Sequence, residues 1–255
     1  MNAEPSPRPD FQWTTGPIRP KRAMMLAAGL GKRMRPLTAS APKPLIEVGG
    51  RALIDWGLDR LERAGVERVV VNVHYLAELV RAHVGRRGHP DIVVSDETAK
   101  LLDTGGGIVK ALPHLGDEPF YLLNSDSFWI EGARPNLEWL AGAWRETDMD
   151  ALLMLASTVR AVGYNGRGDF HMDPAGRLTR RPEREVAPFA YAGVAILHPR
   201  LFAGREAVPF SLNALFDEAL EAGRLFGTRM DGVWLHVGTP EAIGEAELSI
   251  ADSAA

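Results

Sequence analysis

A single α/β domain on a largely parallel sheet with antiparallel additions is the architecture expected of this 255-residue chain. Three features point to it. Short apolar runs alternate with helical repeats through the first half, the pattern of βαβ units. The rhythm then shifts to hairpin-like spacing after Ala151–Ala156. The length suits one large domain, and 45% apolar residues supply its core.

Taken in order, Ala23-Met24-Met25-Leu26-Ala27-Ala28 reads as a buried parallel strand. Gly29–Arg35 is a glycine-bearing loop. Ile54, Leu58 and Leu61 repeat at helical spacing within Arg51–Ala64, and Gly65 marks a helix stop. Val66–Val73 is the second strand and Leu76–Val84 the next helix. Ile92–Val94 and Phe120–Leu123 are further strands, separated by a helix that starts near Thr104 and carries Ile108, Val109 and Leu112. Gly168–Met172, the turn Asp173–Gly176 and Arg177–Thr179 form an antiparallel hairpin. Phe189–Leu197 is a strand and Leu212–Ala222 a helix; Leu225–Met230 and Val233–Val237 are expected to close the sheet. Thr239-Pro240-Glu241 opens the last helix.

Composition removes whole classes of function. With no cysteine there is no disulfide scaffold, thiolate nucleophile or Cys-based metal site. A net charge of -4 argues against nucleic acid as the main partner. No apolar stretch reaches spanning length and no secretory signal pattern opens the chain, so a cytoplasmic protein without membrane contact is expected. Residues 1–22 hold five prolines and scattered charges and read as a disordered tail, with Phe11 and Trp13 available to dock. Residues 23–255 are the domain.

Ligands of parallel α/β sheets bind beyond the carboxyl ends of the strands, and four constellations fall there. Ala27, Ala28, Gly29, Leu30, Gly31, Lys32 and Arg33 combine two glycines, which admit a phosphate to the backbone, with basic side chains. A dinucleotide fingerprint fails because Met34 stands at its third glycine, and a P-loop fails because Leu26 and Arg33 break its pattern. An ordinary turn with solvated basic residues is the other reading. In Pro42-Lys43-Pro44 two prolines stiffen the backbone around one lysine. Asp126 in Asn124-Ser125-Asp126-Ser127 is placed to hold Mg²⁺ against phosphates or, alternatively, to cap a helix. Asp103-Thr104-Gly105-Gly106-Gly107 sets three glycines at a helix start, a costly arrangement that implies close approach by a flat base or an anion.

In this order, with Gly168-Asp169-Phe170, Tyr191-Ala192-Gly193 and Trp234-Leu235-His236-Val237-Gly238-Thr239-Pro240, the motifs resemble those of sugar-1-phosphate nucleotidyltransferases over nearly all of residues 23–250. Within that family the chain is most similar to short N-acetylmuramate 1-phosphate uridylyltransferases of peptidoglycan recycling, and mannose-1-phosphate guanylyltransferases share much of the pattern. The resemblance implies a Rossmann-like three-layer sandwich of the nucleotide-diphospho-sugar transferase type. It also implies a reaction of a nucleoside triphosphate with a sugar 1-phosphate, releasing pyrophosphate. Arg33 would meet the β- and γ-phosphates, Lys43 the α-phosphate, Asp126 the Mg²⁺, and Gly105 and Gly106 the base. Asn124, Gly168, Asp169, Arg181 and Gly193 would line the sugar side. A non-catalytic nucleotide-sugar sensor on the same fold is the competing class, and a monomer or small homo-oligomer is expected.

Two departures from the family pattern stand out. His236 occupies the place of a second metal-binding aspartate; it either touches metal, shifting preference toward Mn²⁺, or serves as a hydrogen-bonded core group. Arg180-Arg181-Pro182 replaces an acid–base pair, so Arg180 or Arg184 either answers an anionic sugar or is a solvated charge. The other histidines show no metal spacing. Trp56, Trp139 and Trp144 fit helix packing, and Trp129 fits the core better than a site cover.

Overall fold

The computed structural model describes residues 18–254. Residues 1–17, including Phe11 and Trp13, lie outside the described residues. Residues 18–22, which the sequence places in the tail, pack on the body: Ile18 lies against the core, Lys21 pairs with Glu67, and Arg22 opens the first strand.

The sheet strands in the first half are β1 (Arg22–Leu26), β4 (Arg68–Val73), β5 (Asp91–Asp96) and β6 (Phe120–Asn124). A small hairpin, β2 (Glu47–Val48) with β3 (Arg51–Ala52), precedes helix α1 (Leu53–Arg63). Helices α2 (Ala77–Val84) and α3 (Asp103–Leu115) complete the crossovers. β1, β4, β5 and β6 are mutually parallel in the order β6-β1-β4-β5. The interiors of β1, β4 and β6 are largely apolar on both faces, as buried parallel strands require, while β5 is the edge strand with Ile92–Val94 only half-buried.

The second half adds β7 (Ser127–Glu131), α4 (Asn136–Gly142), β8 (Ala151–Ser157), the hairpin β9 (Phe170–Met172) and β10 (Leu178–Arg180), and β11 (Phe189–Leu197). Helix α5 (Leu212–Glu221), β12 (Leu225–Arg229), β13 (Gly232–His236) and α6 (Glu241–Ala254) end the chain. β11 runs antiparallel beside β6, carries β8 and the β9–β10 hairpin, and completes a mixed nine-stranded sheet. β12 joins that sheet beside β8, as expected.

β13 does not. It pairs with β7 in a separate two-stranded antiparallel ribbon, from Gly232 opposite Glu131 to His236 opposite Ser127. The apolar run Val233–Val237 forecasts a strand, but its partner is over a hundred residues earlier and lies outside the main sheet. Phe128 and Leu235 of the ribbon pack with Val48 and Leu53, and Phe128 stacks on Trp56 of α1 at 4.7 Å. Trp129 is buried under the Arg60 guanidinium, a core residue as its sequence context suggests. No helix among the described residues is long and apolar enough to cross a membrane.

Candidate active site

The carboxyl ends of β1, β4 and β6 frame a cavity of about 470 Å³. Its walls come from Leu26–Gly29, Asn72, Leu101, Asp103 and Thr104 at the approach to α3, Asn124–Asp126, Lys43-Pro44 and Pro209. A second depression of 310 Å³, between α4 and the end of β12, holds none of the expected site residues.

The chain from residue 27 to 46 wraps one side of the main cavity as a series of 3₁₀ turns. Gly31 stands at φ +59, where a side chain is strained and a Cβ would meet Thr38 at 2.9 Å. The Thr38 hydroxyl donates to the Gly31 carbonyl at 2.9 Å, and the Tyr75 hydroxyl donates to the Thr38 carbonyl at 2.9 Å. These bonds fix the loop on β4's exit, and a further turn delivers Lys43.

Lys43 Nζ bonds Asp126 Oδ2 at 2.9 Å, with both side chains mostly shielded from solvent. Burial pushes the Asp126 carboxyl upward, but Lys43 and His236 more than offset it and hold it below the usual carboxylate value. His236 enters from the ribbon, whose next residue, Val237, donates its N–H to the Asp126 carbonyl. Burial lowers the His236 imidazole below 6.5, and the Lys43 and Arg33 cations lower it further against the pull of Asp126. The Arg33 guanidinium lies over Gly238, 3.7 Å from where that glycine's Cβ would stand. Arg33, Lys43, Asp126 and His236 therefore converge, although Arg33 and His236 are not among the cavity walls. Leu30, Gly31 and Lys32 also lie outside those walls.

Asp126 and a neutral His236 are the available metal donors; no group of three His, Asp or Glu side chains is arranged for a metal among the described residues. A Mg²⁺ shared with a polyphosphate needs only one or two protein ligands, so Asp126 fits that use. The imidazole adds a donor suited to softer divalent ions.

Asn124 and Gly193 lie against each other. A bulge in β11 puts Gly193 at φ +74, and a Cβ there would stand 2.8 Å from Ser127 and 2.9 Å from Asn124. Asp169 accepts the Tyr191 N–H at 2.9 Å, and Tyr164 links this side to His236: its hydroxyl oxygen accepts the Gly168 N–H, and its ring lies 6.3 Å from the imidazole.

Two of the candidate sites are engaged by the chain itself. Gly105 and Gly106 are closely approached, but by the chain itself. Both N–H groups point to the Phe210 carbonyl, a Cβ on Gly105 would strike the Phe210 ring, and one on Gly106 would strike the Val208 carbonyl. The cavity wall there is Leu101, Asp103, Thr104 and Pro209 instead. The Arg181 guanidinium is engaged by backbone: it donates to the carbonyls of Gly168, Pro182, Glu183 and Glu185. Its neighbour Arg180 is likewise engaged, with Asp217 at 2.7 Å and Asn213 at 3.1 Å.

Sequence reasoning missed Asn72, Glu97, Tyr164 and Pro209, and in the Asp103–Gly107 cluster it singled out the glycines rather than Asp103 and Thr104. A signal existed for Asn72, a lone amide near the end of the apolar run Val69–Val73. Pro209 and Tyr164 gave none, because their importance depends on long-range packing.

A doubly wound sheet with a cationic, carboxylate-bearing cavity at its carboxyl edge defines a nucleotide-binding α/β enzyme. The family profile "Nucleotidyl transferase" matches residues 22–253. An N-acetylmuramate alpha-1-phosphate uridylyltransferase of Caulobacter vibrioides is 47% identical over 92% of this chain and 98% of its own. A protein of the same description from Neisseria meningitidis serogroup B is 35% identical over 89% and 96%. A solved putative glucose-1-phosphate thymidylyltransferase of Bacillus anthracis superposes with a TM-score of 0.75 at 16% identity, covering 91% of this chain and 95% of that one. The chain belongs to the nucleotidyltransferase family, whose members here are sugar-1-phosphate uridylyl- and guanylyltransferases.

Proposed function

We propose that the protein transfers the uridylyl group of UTP to N-acetylmuramate 1-phosphate, releasing pyrophosphate, as a step of peptidoglycan recycling. The observation that carries this reading is the Lys43–Asp126 pair at the edge of a cavity framed by phosphate-admitting backbone. The names of the two uridylyltransferase relatives support the choice of substrates.

An oxygen of the sugar phosphate attacks the α-phosphorus of the triphosphate. The new P–O bond forms as the α–β anhydride breaks, and pyrophosphate leaves with the bonding electrons. No protein nucleophile is required, because the attacking oxygen is already anionic. Lys43 neutralises charge at the α-phosphate, and Arg33 attends the departing β- and γ-phosphates. Ala27–Lys32 present backbone to the triphosphate, Leu101–Thr104 and Pro209 bound the nucleoside, and Asn124, Gly168, Asp169 and Gly193 form the sugar side. Asp126, with His236, would hold a divalent ion, Mg²⁺ or Mn²⁺, whose chemistry is charge neutralisation between phosphates. Because the reaction consumes a nucleoside triphosphate, the reading carries a cytoplasmic location with it.

The test is pyrophosphate release by purified protein across four nucleoside triphosphates and several sugar 1-phosphates, with Mg²⁺ and with Mn²⁺. The expected maximum in kcat/KM is the UTP and N-acetylmuramate 1-phosphate pair. Tight nucleotide-sugar binding without turnover in any combination would establish the sensor instead.

A further inference from the structure

A buried side-chain relay crosses the carboxyl edges of β1, β4 and β5. The Ala27 N–H donates to Asn72 Oδ1 at 2.8 Å, and Asn72 Nδ2 donates to Glu97 Oε1 at 2.7 Å. The Leu102 N–H donates to Glu97 Oε2 at 2.9 Å. Asn72 is 2% exposed and Glu97 1%, and Glu97 is the one charged side chain so deeply buried among the described residues. No ion pair accompanies it there. Its stabilisation comes from these donors and from the start of α3, which follows Leu102.

We propose that Glu97 is a positioning residue for nucleotide capture, joining the triphosphate loop to the nucleoside wall through Asn72. The proposal rests on the reaction assigned above. Ala27 begins the loop that would wrap the triphosphate, and Leu102 lies in the segment that would bound the nucleoside; both segments line one cavity. The tie at Leu102 leads directly into Asp103, a cavity residue held at φ +59, a conformation that costs a non-glycine residue energy. Gly107 makes room for the relay, since a Cβ there would stand 2.7 Å from Glu97 Oε1 and 2.9 Å from Asn72 Nδ2. The third glycine of the cluster thus serves the relay rather than a ligand.

The relay has a direction. Ala27 and Leu102 can only donate, so the two side chains between them must present acceptors at both ends. Asn72 and a carboxylate meet this condition; Asn72 and a glutamine do not, because one donor is left facing another. An aspartate at 72 with a glutamine at 97 meets it again, with the charge moved one side chain along.

The experiment measures steady-state kinetics with UTP and N-acetylmuramate 1-phosphate for the wild type, Glu97→Gln and Asn72→Asp/Glu97→Gln, with folding followed by circular dichroism. Glu97→Gln is expected to raise the KM for UTP about tenfold while the KM for the sugar phosphate stays within about twofold. The double variant is expected to recover most of the UTP loss. Equal rises in both constants, no rise at all, or a folded double variant as weak for UTP as the single one would overturn the proposal. If Glu97→Gln does not fold, the double variant decides, and its failure to fold also overturns the relay. Wild-type turnover separately tests the assigned reaction. Should that be absent, the dissociation constant of UTP by calorimetry supplies the same comparison among the three proteins.

Discussion

Lys43 and Asp126 stand 83 positions apart in the chain, yet Nζ and Oδ2 meet at 2.9 Å where the 27–46 wrap crosses the exit of β6. The pair neutralises itself before substrate arrives, so a triphosphate must compete with Asp126 for the ammonium. A divalent ion on the carboxylate would release the lysine toward phosphate.

Lys43→Ala is expected to lower kcat by about 10²–10³, the usual cost of losing one charge-stabilising donor. It also strips Asp126 of its strongest attractive partner, so the carboxyl titrates higher than in the wild type. Pyrophosphate release and an NMR titration of the Asp126 side chain check the two effects.

Acid stability should reflect both members of the Asp126–His236 neighbourhood. His236 is lowered in the folded protein, so between pH 6.5 and that lower value the unfolded chain binds the extra proton and stability falls as pH drops. Asp126 is also lowered from 3.8; its contribution is present above that value and disappears as pH falls through the folded one. His236→Gln should remove the first decline and leave the lower-pH loss, as read from urea midpoints between about pH 2 and 8.

His236→Asp should shift metal use toward magnesium. A hard oxygen replaces an imidazole nitrogen, so the Mn²⁺ over Mg²⁺ activity ratio should fall, on the order of tenfold. Equal metal requirements in variant and parent would show that His236 makes no metal contact.

Gly106→Ala should destabilise by about 1–3 kcal/mol, because its Cβ would enter the Val208 carbonyl and the helix can only shift away. Gly142→Ala, at the end of α4 with open space around it, should be neutral or stabilise by about 0.5–1 kcal/mol. Melting temperatures of the two variants distinguish steric from general effects.

Arg181→Ala should leave the 182–187 segment susceptible to limited proteolysis, since one guanidinium gathers the carbonyls of Pro182, Glu183 and Glu185 and ties them to Gly168. Arg181→Lys should not restore protection, because an ammonium lacks the planar fork that spans those acceptors.

The apolar runs at β1, β4 and β6 and the loops after β1 and β6 were legible because their signals are local. Lys43, Asp126 and His236 carried recognisable neighbours, and the fold brought them together. The β7–β13 pairing was not legible: Ser127–Glu131 follows β6 with only Ser125 and Asp126 between, and nothing in Val233–Val237 specifies which sheet receives it. The glycines at 105 and 106 announced close contact truthfully, but the contacting segment, Val208–Phe210, lies a hundred residues downstream. Arg181 shows the limit of reading charge: a guanidinium is equally suited to phosphates and to backbone carbonyls.

The ribbon has a wider meaning for how such an enzyme diversifies. The chain leaves at Glu131 and returns at Gly232 in the same ladder pair, while Asp231 accepts the amides of Ala133 and Arg134 to clasp the junction. Everything in between, including Gly168, Asp169 and Gly193, is an excursion with fixed endpoints. The spacing of carboxylate and imidazole is set by the two five-residue arms of that ribbon, so a change within the excursion can reach Gly168, Asp169 or Gly193 without moving Asp126 against His236.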